Sequence, residues 1–162
     1  MNSANLLQAL ESKNLKLALA ESLTGGLLCS ELISNPGASN VVLGSIVAYQ
    51  SGLKSGSLGV SSELLAEVGA VDPEVALKMA EGVRSRFSLQ LLLSTDQVLG
   101  VSTTGVAGPD EQDGKPVGLV YIAISGAKGE KVWEESFSGS RQEIRNLTVS
   151  KVFERIAEYL GL

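Results

Sequence analysis

The stretch LKLALAESLTGGLLCSELISNPGASNVVLGSIVAY, residues 15–49, carries the clearest information about the fold. Residues 15–20 form a short apolar run that is typical of a strand. Residues 25–33 have a helical pattern, which Asn35-Pro36-Gly37 ends. Residues 41–49 are β-branched and apolar, which predicts a buried strand. The order strand, helix, strand indicates an α/β domain with parallel strands.

The rest of the chain continues this alternation. Helices are predicted over residues 3–13, 61–68 and 73–87, and strands over residues 98–103, 117–125 and 131–137, the last two joined as a hairpin through residues 125–129. The last helix begins at a capping box, Ser140-Arg141-Gln142-Glu143. We therefore predict one domain over residues 1–162, a three-layer α/β/α sandwich around a mostly parallel mixed sheet. Binding sites in such sheets lie at the carboxyl ends of the strands.

The amino-acid composition excludes several kinds of chemistry. The chain of 162 residues has no histidine and one cysteine, which rules out Ser-His-Asp and Cys-His nucleophiles, imidazole zinc sites and an internal disulfide. The net charge of −5 argues against a nucleic-acid or anionic-membrane surface. The N-terminal residues do not resemble a targeting peptide, and no apolar run reaches about 18 residues. A cytoplasmic protein with no membrane partner is therefore expected.

The first candidate site is Ala20-Glu21-Ser22-Leu23-Thr24-Gly25-Gly26, between a predicted strand and a predicted helix. A helix N-terminus there would offer N–H groups to a phosphate or an oxyanion, and glycines would let a ligand approach the backbone. Ser22 and Thr24 supply hydroxyls. Alternatively, Ser22 or Thr24 only caps the helix. Glu21 is expected to be a solvated or salt-bridged carboxylate.

The second candidate is Lys54, in the segment Tyr49-Gln50-Ser51-Gly52-Leu53-Lys54 that follows another predicted strand. Without histidine, a serine nucleophile needs a different base. A lysine whose pKa is lowered by burial is the main alternative. Ser22 and Lys54 are therefore a candidate nucleophile and base. The alternative is that Lys54 is an exposed residue on a short helix.

Two further segments suit a polar or anionic ligand. The loop Thr103-Thr104-Gly105-Val106-Ala107-Gly108-Pro109 follows a strand, and its N–H groups would either cradle a ligand or only form a turn. Arg141 and Arg145 lie one turn apart at the start of the last helix, where cations oppose the helix dipole. They would form a phosphate clamp unless Glu143 or another acid compensates them. The acidic residues 110–113 lack calcium-loop spacing and are expected to be solvated.

The order of these motifs resembles the C-terminal domain of the CinA (competence/damage-inducible) family. The matching segments span about residue 4 to residue 160 and are AESLTGG, NPGASN, VAYQSGLK, GAVDPEVA, TTGVAGP, KPVGLVYIA and FSGSR. The resemblance implies an anticodon-binding-domain-like fold with a five-stranded sheet. The family includes deamidases of nicotinamide mononucleotide (NMN), which implies hydrolysis of NMN to nicotinate mononucleotide and ammonia without a metal or cofactor. That activity belongs to pyridine nucleotide recycling.

The resemblance also implies residue roles. Ser22, Lys54 and the strand-end Tyr49 match the catalytic motif. In the expected reaction neutral Lys54 takes the proton of Ser22, and N–H groups near Gly105 or the Thr24-Gly25 helix start stabilise the oxyanion. The residues assigned to substrate binding are Thr24, Gly25, Gly26, Thr104, Gly105, Gly108, Arg141 and Arg145. The chain departs from the usual family pattern at Leu23, Ser51, Val68 and residues 110–113.

Two other functions stay open at this point. A nucleotide-binding or regulatory module would use the same pocket without turnover. A hydrolase of another small amide would not need the arginine pair. The expected partner is a small nucleotide and not a nucleic acid, and self-association into a homo-oligomer is left open.

Overall fold

A computed structural model describes residues 1–162 and contains six α-helices and five strands. In chain order these are α1 (Ser3–Ser12), β1 (Lys16–Glu21), α2 (Leu27–Ile33), β2 (Val42–Val47), α3 (Ser51–Leu58), α4 (Ser62–Val68), α5 (Pro73–Leu91), β3 (Val98–Gly105), β4 (Leu119–Gly126), β5 (Gly129–Ser136) and α6 (Arg141–Leu160). Short 3₁₀ helices at Ala38–Asn40 and Thr95–Gln97 lead into β2 and β3. None of the helices is both long and apolar enough to cross a membrane.

The five strands form one sheet in the order β2-β1-β3-β4-β5. Strand β1 is parallel to both β2 and β3, while β4 is antiparallel to β3 and β5. Four strands therefore share one direction, and the predicted mostly parallel mixed sheet is confirmed. Glu21 at the end of β1 is level with Val47 of β2 and Thr103 of β3. The carboxyl ends of these three strands consequently meet at one edge of the sheet.

Side chains that alternate along β1 create the two apolar layers. Leu17 and Leu19 pack in the cluster with α1, α2 and α6, whereas Ala18 and Ala20 face α5 on the other side. The smaller residues let α5 lie close to the sheet. A Cβ atom at Gly100 of β3 would lie only 2.0 Å from the carbonyl oxygen of Ala80 in α5. Helices therefore cover both faces of the sheet, and the predicted α/β/α sandwich is confirmed.

Three of the predicted elements need correction, and the bounds predicted for the others lie within two residues of the observed ones. The strand predicted to be buried over residues 41–49 is the shorter β2, which is half-buried because it lies at the edge of the sheet and pairs only with β1. The helix predicted from residue 25 begins at Leu27, because Gly25 and Gly26 adopt φ values of 59° and 92°. Helix α5 continues beyond residue 87 to Leu91, since no glycine or proline interrupts it there.

Candidate active site

A cavity of about 350 Å³ opens at the carboxyl ends of β1, β2 and β3. This is the edge of the sheet where the topology predicts a site. Five segments supply its lining: Ser22 and Leu23 after β1, residues 49–51 and Lys54 around the start of α3, residues 70–71 before α5, residues 104–112 at the end of β3 and in the following loop, and Arg141 of α6. Elements distant in sequence therefore supply one concave surface of a size that suits a small ligand.

Ser22 and Lys54 are in direct contact within this cavity. The Lys54 ammonium nitrogen Nζ donates to Ser22 Oγ over 3.0 Å and to the carbonyl oxygen of Ala48 over 2.8 Å. Lys54 is 1% exposed and no carboxylate pairs with it. Burial therefore lowers the pKa of Lys54 from 10.5 to about 8. The alternative of an exposed Lys54 is wrong, and the pair has the contact that a base and a nucleophile require.

The carboxylate of Glu21 holds the start of α2. It is fully buried and accepts hydrogen bonds from the N–H groups of Gly26, Leu28 and Cys29 at 3.0–3.1 Å, and from Ser45 Oγ at 2.9 Å. The expectation of a solvated or salt-bridged Glu21 is wrong, because the helix N–H groups supply its hydrogen bonds. Neither Ser22 nor Thr24 caps α2, so the Ser22 hydroxyl is free to face Lys54.

Three residues of the first motif lie outside the cavity lining. Thr24 is fully buried, with its Oγ1 2.8 Å from Thr103 Oγ1. The Gly25 N–H donates to the carbonyl oxygen of Ser22, and the Gly26 N–H donates to Glu21. The N–H groups of Gly25 and Gly26 and the hydroxyl of Thr24 are thus used within the protein, and ligand contacts at these three residues stay a prediction.

The end of β3 and the loop after it form the opposite wall of the cavity. Thr103, Thr104 and Gly105 were predicted to lie in the loop but are the last residues of β3, because they pair with β4. Thr104 Oγ1 donates to the carbonyl oxygen of Ala70 over 2.7 Å, which holds residues 70–71 in the lining. A Cβ atom at Gly105 would lie 2.6 Å from the carbonyl oxygen of Leu119, so only glycine fits there. Gly108 has φ +87°, a conformation that favours glycine. All three residues predicted for this wall, Thr104 and Gly105 of β3 and Gly108 of the loop, line the cavity.

The two arginines of α6 have different positions. Arg141 lines the cavity, where Nη1 donates to the carbonyl oxygen of Gly108 over 2.6 Å and Nη2 donates to the hydroxyl of Tyr49 over 2.7 Å. Arg145 is not part of the lining: its Nε donates to the carbonyl oxygen of Leu23 over 3.0 Å, and Nη2 to that of Thr24 over 2.8 Å. Glu143 contacts neither arginine because its carboxylate is used in the capping box.

Other residues of the lining were not predicted from the sequence. Gln50, Ser51, Asp110 and Glu111 all face the cavity. The two carboxylates make no ion pair within the protein, so the lining combines positive and negative charge. Their position two and three residues after Gly108 was the available clue. The structure brings no three acidic or thiol side chains together at metal-binding distance.

The fold and the cavity define an α/β domain with a buried serine–lysine pair at the ends of parallel strands. The chain belongs to the CinA family, because it matches the CinA C-terminal domain over residues 2–160. The predicted family resemblance is thereby confirmed.

Named relatives agree with this membership. A competence-damage inducible protein of Acetivibrio thermocellus is 44% identical over 91% of this chain, and a CinA-like protein of Frankia casuarinae is 39% identical over 96%. The matched region is 34% of the length of each, so this chain spans about a third of these relatives.

Solved structures show the same fold. The competence/damage inducible protein CihA of Agrobacterium tumefaciens has a TM-score of 0.86 and 33% identity, covering 96% of this chain and 92% of that protein. A CinA superfamily protein of Escherichia coli has a TM-score of 0.88 and 27% identity, covering 97% of this chain and 87% of that one.

Proposed function

We propose that this domain is an amidohydrolase that removes ammonia from the carboxamide of nicotinamide mononucleotide. The observation that carries the proposal is the 3.0 Å contact between Lys54 Nζ and Ser22 Oγ inside a strand-end cavity. A lysine with a pKa of about 8 is neutral in roughly a tenth of molecules at neutral pH. That fraction is enough for it to serve as the general base that a histidine supplies elsewhere.

The proposed reaction uses the two residues in sequence. Neutral Lys54 takes the hydroxyl proton of Ser22 while Oγ forms a bond to the carboxamide carbon. The carbonyl π electrons move onto the oxygen. The resulting Lys54 ammonium then gives a proton to the amide nitrogen. The oxyanion electron pair re-forms the C=O bond as the C–N bond breaks and the nitrogen leaves as ammonia. Lys54 then takes a proton from a water molecule that attacks the acyl-enzyme carbonyl. It returns a proton to Ser22 Oγ as the acyl bond breaks, which releases nicotinate mononucleotide.

Arg141 is the residue best suited to bind the phosphate of this substrate. Two of its N–H groups are held by Gly108 and Tyr49, so the guanidinium is fixed at the wall of the cavity and its other N–H groups are available to a ligand. Tyr49 supports catalysis indirectly in this proposal, because its hydroxyl contacts Arg141 and not the Ser22–Lys54 pair. The carboxylates of Asp110 and Glu111 in the same lining match the positive charge of the pyridinium ring.

The test is incubation of the purified chain with NMN, with ammonia and nicotinate mononucleotide measured together. We expect both products in equal amounts. We expect their formation to be lost in Ser22→Ala and retained in Ser30→Ala, an exposed serine on α2. Binding of NMN without release of ammonia would instead indicate a nucleotide-binding module. Hydrolysis of simple aromatic amides at the same rate as NMN would indicate a hydrolase of another substrate.

A further inference from the structure

The turn that follows the nucleophile, Ser22–Gly25, has two N–H groups without a protein acceptor, those of Leu23 and Thr24, and of these two residues only Leu23 lines the cavity. The Ser22 N–H donates to the carbonyl oxygen of Thr103 over 3.0 Å, and the Gly25 N–H donates to the carbonyl oxygen of Ser22 over 3.1 Å. The N–H of Leu23 donates to no protein atom, and Leu23 lines the cavity beside Ser22. In a trans peptide the N–H lies opposite the C=O, so the bond to the Ser22 carbonyl fixes the direction of the Leu23 N–H.

Arg145 is at the other end of this arrangement. Its Nη2 donates to the carbonyl oxygen of Thr24, and the N–H of the same peptide unit, that of Gly25, donates to the Ser22 carbonyl. The N–H of the Ser22–Leu23 peptide unit is then the last donor. The Arg145 guanidinium, the Thr24–Gly25 peptide unit and the Ser22–Leu23 peptide unit therefore form one hydrogen-bonded chain, which ends at the free N–H of Leu23. Hydrogen bonds in such chains polarise one another, which strengthens the terminal donor.

We propose that the Leu23 N–H stabilises the oxyanion formed when Ser22 attacks the amide, and that Arg145 is the positioning residue that orients and polarises this donor. The inference rests on the proposed function, since it concerns the tetrahedral intermediate of that reaction. Ser22 Oγ bonds to the carbonyl carbon, its proton goes to Lys54, and the negative charge that develops on oxygen meets the Leu23 N–H. The N–H of Ala107, also without an acceptor in the protein, is available from the opposite wall.

This role differs from phosphate binding in its effect on kinetics. All three nitrogens of the Arg145 guanidinium already donate, to Leu23, Thr24 and Gln142, whereas Arg141 retains N–H groups at the cavity. Loss of a phosphate ligand raises KM for the nucleotide and abolishes the preference over the nucleoside. Loss of oxyanion positioning lowers kcat for both substrates equally.

The experiment compares Arg145→Met and Arg145→Lys with Arg155→Met, a control in the same helix whose guanidinium pairs with Glu135 and Glu158 and does not line the cavity. We expect Arg145→Met to lower kcat about 10–100-fold for both NMN and nicotinamide riboside, with KM for NMN within about twofold. Arg145→Lys retains the charge and should recover part of the rate. A raised KM for NMN with unchanged kcat, and an unaffected riboside reaction, would overturn the proposal.

A second measurement does not need turnover. Phenylboronic acid forms a tetrahedral anionic adduct with a nucleophilic serine, so its binding to ¹⁵N-labelled protein reports the oxyanion site. We expect the Leu23 amide proton to move downfield on binding and to move less in folded Arg145→Met. No adduct in the wild type, an unmoved Leu23 amide, or a shift independent of Arg145 would each overturn the inference. A wild type that forms the adduct and hydrolyses no NMN would overturn only the proposed substrate.

Discussion

At the scale of single residues, the proposed chemistry depends on Lys54. Its ammonium group is enclosed, and its only protein acceptors are a hydroxyl and a carbonyl oxygen, so burial is not offset by an opposite charge. The pKa near 8 results from this desolvation. The burial that would make Lys54 a usable base in the proposed mechanism also destabilises the folded chain, and both consequences are measurable.

The first consequence is a pH–rate profile governed by a lysine. The base must be neutral, and lowering the pH below about 8 protonates it, so kcat/KM for NMN should fall about tenfold per pH unit on the acid side. Above that pH the rate should level off. The measurement is initial-rate kinetics across the pH range in which the chain stays folded. A maximum below neutrality with a decline toward higher pH is the opposite result and excludes Lys54 as the base.

The second consequence concerns stability. The unfolded chain holds the Lys54 proton up to a pH of about 10.5 and the folded chain only to about 8, so wild-type stability rises with pH between these values. At pH 7 the burial cost is about 3 kcal/mol. We expect Lys54→Met to raise the free energy of unfolding in urea at pH 7 by up to that amount, with a smaller gain at pH 10.

The control for this measurement is Lys78→Met, because Lys78 lies at the surface with 44% of its side chain exposed. Its substitution should change the free energy of unfolding by no more than about 0.5 kcal/mol. A Lys54→Met protein less stable than the wild type at pH 7 would mean that the contacts of the lysine outweigh its desolvation.

At the scale of elements, the sequence predicts which segments form strands and helices but not which contacts their ends make. Caps locate the starts of α5 and α6 closely, because Asp72 and the Ser140 capping box are local features. The edge position of β2 depends on which strand it pairs with, and local sequence does not contain that information. For the same reason the sequence predicts a solvated or salt-bridged Glu21, whereas its donors come from α2 and from Ser45 on another strand.

Glu21 is therefore expected to be a major stability determinant of this region. Glu21→Ala leaves the N–H groups of Gly26, Leu28 and Cys29 without an acceptor and should lower the free energy of unfolding by about 3–5 kcal/mol. Glu67→Gln, an exposed carboxylate on α4, is the control and should change it by less than about 0.5 kcal/mol. Urea unfolding measures both. A loss below about 1 kcal/mol in Glu21→Ala would show that α2 does not need this carboxylate.

At the scale of the whole molecule, the site depends on contacts between distant segments. The sequence motifs identified the Ser22–Lys54 pair, and the strand-end rule indicated where it would lie. They did not separate Arg141 from Arg145. The two residues are one helical turn apart, and only the packing of α6 directs one to the cavity and the other to the turn after Ser22. Helical spacing alone predicts which face of a helix a residue lies on, but not which other segments that residue contacts in the fold.

The prediction at this scale concerns Arg141 and the preference for a substrate that carries a phosphate. Arg141→Ala should lower kcat/KM for NMN by about 10–100-fold, since a charge-assisted hydrogen bond contributes about 1.5–3 kcal/mol. The reaction with nicotinamide riboside, which has no phosphate, should change little. Steady-state kinetics with both substrates tests this. An equal loss for both would mean that Arg141 acts on the cavity shape through Gly108 and Tyr49 instead.

Activation of Ser22 by Lys54 is tested most simply by NMN turnover of the wild type, Ser22→Ala, Lys54→Met and the double variant, all confirmed to be folded. If the two residues act as one unit, each single variant should lose about 10³-fold or more in kcat. The double variant should then lose no more than the worse single variant, because groups that act together are not additive. Near-normal turnover by Lys54→Met, or losses that multiply in the double variant, would contradict a serine nucleophile activated by Lys54.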